Sequence, residues 1–220
     1  MSGRAGMGPV LRVALPLLCA AAGLAACSGS LFRSRTPPTT VYLLSADLGS
    51  AAVAAQPVLP VDVAVLRPRV RTGFETDRIA VLYPDHRLDY FANARWSGPV
   101  DVLFQDLALQ ALHTGARLRS VSADASAVTS AYWLEFEVVD FEANYARADT
   151  APVVRVHLLA RLGLTGDRRL LTAFESDVTR PASENRLTAI VDAYQQAVTA
   201  ALGEIVAGVA QAARRPPDHP

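Results

Sequence analysis

Two alternating segments near the middle of the chain limit its possible folds more than any other feature. From Tyr132 to Glu142, Tyr132, Leu134, Phe136 and Val138 point one way, and Glu135 and Glu137 point the other. Val153 to Leu162 repeats the period: Val154, Val156, Leu158, Ala160 and Leu162 make one face, with Arg155, His157 and Arg161 opposite. A period of two marks a β-strand with one face buried. The acidic row of the first segment complements the basic row of the second. The two strands are therefore expected to pair in an antiparallel ladder, at ~0.2–1 kcal/mol per charged pair. Gly166-Asp167 then predicts a tight hairpin turn into a third strand, Leu170 to Val178.

The remaining elements can be read around this core. Val41 to Leu44 is a short strand candidate, and Ser45 to Pro60, rich in Ala, Gly and Ser, reads as a surface loop. Val61 to Val65 alternates, and Pro68 predicts that this strand ends on a sheet edge. Arg78 to Tyr83 and Leu88 to Trp96 flank Pro84-Asp85-His86, a hairpin pattern whose second arm puts Leu88, Tyr90, Ala92, Ala94 and Trp96 on one face. Ser97-Gly98-Pro99 opens a helix, with Ser97 as cap and Pro99 in the first turn. Val100, Leu103, Phe104, Leu107 and Ala111 then follow helical spacing up to the stop signal Gly115. A long final helix, from about Glu184 to Ala213, carries a wide apolar stripe from Leu187 to Val209. A membrane-surface helix would need basic residues along that stripe. Only Arg186, Arg214 and Arg215 are available, at its ends, so the stripe is expected to pack on the sheet. The order of strands, helix, strands and helix predicts an α+β fold: a largely antiparallel sheet with two helices packed on one face.

Composition and motifs narrow the chemistry. Basic and acidic residues balance at 21 each, which leaves no basic excess for nucleic acid. Every basic residue is Arg, a choice that a GC-rich genome explains without any function. The four histidines, His86, His113, His157 and His219, show no ligand spacing. No nucleophile elbow, P-loop or dinucleotide glycine pattern occurs. No catalytic, cofactor-binding or metal residue is therefore assigned, and no cofactor is expected. Asp140 and Glu142 flank Phe141 and share a face, a spacing compatible with a glycosidase pair; solvated strand-end acids are the plainer reading. Trp133 and Phe141 fall on the face opposite Leu134 and Phe136. Beside Val139 they form either an exposed patch for a partner or lipid, or a patch covered by the loop Ala143 to Thr150.

The N-terminus is an export signal. Arg4 and Arg12 supply the charge, Val13 to Ala26 is apolar, and small residues precede Cys27. The run is shorter than the ~20 apolar residues of a membrane span. Leu24-Ala25-Ala26-Cys27 resembles the lipobox of bacterial lipoproteins. That resemblance implies cleavage before Cys27, a diacylglycerol on its thiol, and an acyl chain such as palmitate on the new amine. Each buried methylene contributes ~0.8 kcal/mol, and several chains together hold a protein stably. The expected organisation is a signal peptide over 1–26, a tether over 27–40, one domain over 41–213 and a disordered tail over 214–220. Cys19 leaves with the signal and Cys27 is acylated, so the mature domain has no thiol for a disulfide. Ser28 after the Cys resembles the sorting signal for the outer membrane, here its periplasmic face, over inner-membrane retention.

Tyr42-Leu43-Leu44, Val61 to Pro68, Arg78-Ile79-Ala80, Leu88-Asp89-Tyr90, Trp96 before its helix, Tyr132-Trp133-Leu134 to Asp140-Phe141-Glu142, and the alanine-rich final helix resemble the ABC-type transport auxiliary lipoproteins, the paraquat-inducible protein C group. The resemblance departs at Trp96-Ser97-Gly98-Pro99, where the family often has an acidic residue, and in the long Ser45 to Pro60 loop. It implies a non-catalytic subunit that works with an MCE-type substrate-binding protein and an ABC permease and ATPase. Such a system moves lipids or other hydrophobic compounds across the periplasm and supports envelope integrity. The implied partners also include the membrane, through the lipid anchor, and further copies of the chain; nucleic acid is not among them. Two other readings stay open: a structural lipoprotein that assembles another outer-membrane machine, and a lipid-anchored hydrolase with His, carboxylate or Ser gathered in a pocket.

Overall fold

The computed structural model describes residues 38–123 and 130–214. The expected signal peptide, Cys27, most of the expected tether and the expected tail beyond Arg214 lie outside the described residues. The elements are β1 (Thr40–Tyr42), α1 (Ala51–Ala54), β2 (Leu59–Val65), β3 (Arg69–Val70), β4 (Arg78–Leu82), β5 (Leu88–Trp96), α2 (Val100–Gly115), β6 (Leu118–Ala123), β7 (Tyr132–Asn144), β8 (Val153–Leu164), β9 (Leu170–Pro181) and α3 (Leu187–Ala213).

All nine strands join one sheet, with the 13-residue β7 as its spine. One edge of β7 pairs antiparallel with β8, and β8 pairs with β9, as the alternation predicts. The other edge is shared, in succession and always parallel, by β2 (Val63 opposite Tyr132), β3 (Arg69 opposite Glu137) and β4 (Val81 opposite Ala143). β6 runs parallel to β2, and β1 parallel to β5. The sheet is thus mixed, which corrects the expectation of a largely antiparallel one. Hairpins make strands antiparallel only between sequence neighbours; strands reached through a crossover are laid parallel. The antiparallel pairs, β4–β5, β7–β8 and β8–β9, all join sequence neighbours, whereas β2, β3 and β4 reach β7 through longer connections and meet it in the same direction.

Several local expectations shift for identifiable reasons. The Ser45 to Pro60 loop contains α1, capped by Ser50 Oγ, which accepts from Val53 N at 3.2 Å. Pro68 does not mark an edge, because β2 lies between β6 and β7. Ser97 makes no cap hydrogen bond: Pro99 occupies the cap position, and the Val100 N–H is satisfied by Thr76 O. The β8–β9 connection spans residues 165–169, and Arg168 rather than Gly166 takes the left-handed conformation, with φ 54°. In β5 five residue steps (90 to 95) face two steps of β4 (78 to 80), and Asn93 has φ 54°. That bulge splits the expected common face. Ala94 and Trp96 are buried, while the Tyr90 hydroxyl turns to donate to Gly73 O at 2.7 Å.

The core lies between the sheet and the two long helices. Every expected apolar position of α2 is buried, and so is the α3 stripe from Ile190 to Val209. Phe141 sits at the centre. Its ring meets Phe104 of α2 at 5.0 Å, Tyr194 of α3 at 4.9 Å and Trp96 of β5 at 5.3 Å. Both long helices therefore pack on one face, the face Phe141 occupies. This corrects the face assigned to Phe141, which is 1% exposed and covered by the helices rather than by the loop Ala143 to Thr150. The cause is a bulge in β7. Val138 faces Leu158 and Asp140 faces His157, so Val139 is the extra residue and the alternation changes phase there.

Candidate functional site

The other face of β7, β8 and β9 carries the charged rows. Glu135 lies directly opposite Arg161, whose Nη1 is 3.6 Å from its carboxylate. From the other edge, β3 brings Arg69 within 3.5 Å of both Glu135 and Glu137. This two-residue strand was missed, although Arg67, Arg69 and Arg71 alternate at strand period.

Below the bulge, Asp140 and Glu142 share this face, as their spacing predicts, but neither is solvated: they are 6% and 2% exposed. Arg71 Nη1 donates to Asp140 Oδ1 at 2.7 Å, and Arg155 Nη1 lies 3.2 Å from Oδ2. Arg155 also grips Asp177 with two hydrogen bonds of 2.9 and 2.7 Å. That hydrogen bonding raises the guanidinium pKa further and holds the Asp177 carboxyl below its ordinary value. His157 stands between two acids, with Nδ1 3.5 Å from Asp140 and Nε2 2.9 Å from Glu175. Both ring nitrogens thus face carboxylates, and no hydroxyl among the described residues hydrogen-bonds to the ring. This arrangement ties β7 to β8 and β9. It does not assemble the nucleophile and base that hydrolysis would need.

Glu142 differs from its neighbours. Its Oε1 accepts from Asn144 Nδ2 at 3.0 Å, while Oε2 is buried with no hydrogen-bond partner among the described residues. Burial, reinforced by the charge of Asp140, pushes the carboxyl up to about 7. The paired acids expected at this position are therefore unequal. Asp140 is clamped by Arg71 and Arg155, whereas Glu142 holds its proton near neutral pH.

At the opposite end of the same face, Leu66, Trp133, Glu135, Thr165 and Arg168 surround a groove of about 390 Å³. Trp133 lies where the alternation places it, half-buried on this face and directly opposite Gly163. A Cβ on Gly163 would come within 2.2 Å of the indole, so glycine is what lets the ring lie across β8. The indole Nε1 donates to Leu164 O at 3.1 Å. Thr165 Oγ1 is buried and unpartnered among the described residues. The loop Ala143 to Thr150 stacks Tyr145 on Tyr83 at 5.6 Å.

His86 occupies the β4–β5 turn with φ 63°, His113 lies in the last turn of α2, and His219 falls outside the described residues. Among the described residues no group of three or more His, Cys, Asp or Glu is placed to hold a metal ion. No described helix is long and apolar enough to cross a membrane.

A single mixed sheet with two long helices on one face and an ion-paired opposite face matches known proteins. The chain belongs to the family of ABC-type transport auxiliary lipoprotein components, whose model matches residues 42–206. The family name implies association with an ABC transporter. The crystal structure of a Xanthomonas campestris protein of the DUF330 family aligns with a TM-score of 0.68 at 24% identity, covering 79% of this chain and 96% of that one. A hypothetical protein from Chlamydia trachomatis aligns with a TM-score of 0.50 at 14% identity, covering 70% of this chain and 98% of that one. At these identities the likeness is one of fold. No curated protein sequence matches the chain.

Proposed function

We propose that this protein is the non-catalytic, lipid-anchored subunit of an ABC transport system of the MCE type. Cys27 carries the acyl chains, and Ser28 directs the anchored chain to the periplasmic side of the outer membrane. The folded domain docks the MCE-type substrate-binding protein, which links it to the permease and ATPase, and copies of the domain assemble together. Lipids or other hydrophobic compounds are the cargo, and ATP hydrolysis elsewhere supplies the energy. The observation that carries this reading is the family match along residues 42–206, downstream of the Leu24-Ala25-Ala26-Cys27 segment. The paired carboxylates and His157, bound up in ion pairs, suit a scaffold better than a reaction centre.

The test is affinity purification of the full chain from native membranes, followed by mass spectrometry. Recovery of an MCE protein together with an ABC permease or ATPase is expected. Recovery of a different outer-membrane complex would replace this reading with that of an assembly lipoprotein.

A further inference from the structure

We infer that the Trp133 groove binds a small aromatic carboxylate. The floor is preformed. Gly163 leaves room for the indole, and the hydrogen bond from Nε1 to Leu164 O at 3.1 Å fixes the plane of the ring. A held indole offers its free face to a flat apolar group, since aromatic rings attract one another in offset and edge-on geometries. Leu66 adds an apolar wall, and about 390 Å³ suits a single ring with a short side chain.

The charges choose the sign of the ligand. Glu135 is already flanked by Arg69 at 3.5 Å and Arg161 at 3.6 Å. Arg168 lines the same groove, is exposed, and has no ion-pair or hydrogen-bond partner among the described residues. Its left-handed backbone places it at the tip of the β8–β9 hairpin. The uncommitted charge is therefore positive and calls for an anion, and a guanidinium matches a carboxylate in a two-pronged geometry. The site stands apart from the anchoring role and does not depend on which transporter the domain serves.

The chain contains two tryptophans, Trp96 and Trp133, so tryptophan-labelled protein gives two indole N–H signals in an NMR spectrum. The full-length lipidated protein in phospholipid nanodiscs would be titrated with 3-phenylpropionate, with Trp133→Phe assigning the signals. The Trp133 signal should move saturably while that of Trp96 stays still. Arg168→Glu should weaken binding about tenfold or more and leave both signals in place before ligand is added. The neutral 3-phenylpropionamide and the aliphatic hexanoate should each bind at least about tenfold more weakly. Absence of saturable movement into the millimolar range would overturn the proposal. Equal movement with the amide or with hexanoate would overturn it as well.

Discussion

Glu142 has a buried carboxyl with one oxygen held by Asn144 and the other by nothing among the described residues. Its pKa is raised from 4.5 to about 7, so the folded chain binds this proton more tightly than the unfolded chain does. The resulting stabilisation is fully present below about 4.5 and is lost as pH rises through about 7. Glu142→Gln copies the protonated form. Thermal unfolding should show little change below about pH 4.5 and a gain of about 1–3 kcal/mol at alkaline pH. A flat difference across that range would refute the assignment. Phe141 makes the opposite kind of contribution, since its ring touches three aromatic neighbours from three elements. Phe141→Ala should cost about 3–5 kcal/mol by chemical denaturation, the range for an aromatic cavity in a core. A surface position would lose less than 1 kcal/mol, roughly.

At the scale of elements, β7 and β8 were legible because one buried face imposes a period of two, and their charged outer rows even revealed which strand pairs with which. The part that escaped was the phase of β7 beyond Val138. One extra residue leaves no mark on composition, so Phe141 read as outward although it faces the helices. Asn93 does the same to β5. The short strand β3, with its one basic residue Arg69, was hidden because a strand of two residues has no stability of its own; the acidic row of β7 gives it a reason to exist. α3 offers a test of how tightly it sits on β9. At Gly203 a new methyl would have its nearest neighbour outside the helix, Leu48, at 4.0 Å, so Gly203→Ala should stabilise the helix by about 0.5–1 kcal/mol. At Gly208 the same methyl would come within 2.6 Å of the Phe174 ring. Gly208→Ala should forfeit that gain, and melting curves of the two variants measured side by side would show it.

For the whole molecule, the proposed anchor at Cys27 predicts that anchoring and folding separate. Cys27→Ser should move the protein from the membrane fraction to the soluble periplasmic fraction while the melting temperature of the domain stays the same. Retention in the membrane would count against lipid attachment at Cys27. What the sequence by itself determined was the class: the Cys27 segment, the β7–β8–β9 ladder, the two apolar helix stripes and the family. Each of these is a local pattern, written in neighbouring residues. Only the tertiary structure decided that the sheet is mixed, that burial raises the Glu142 pKa, and that Trp133 and Arg168 line one groove. Strand direction follows from which distant strands come to lie side by side in the sheet. A carboxyl's proton affinity follows from the charges and the solvent that distant segments bring or exclude. Neither quantity is carried by any short stretch of the chain.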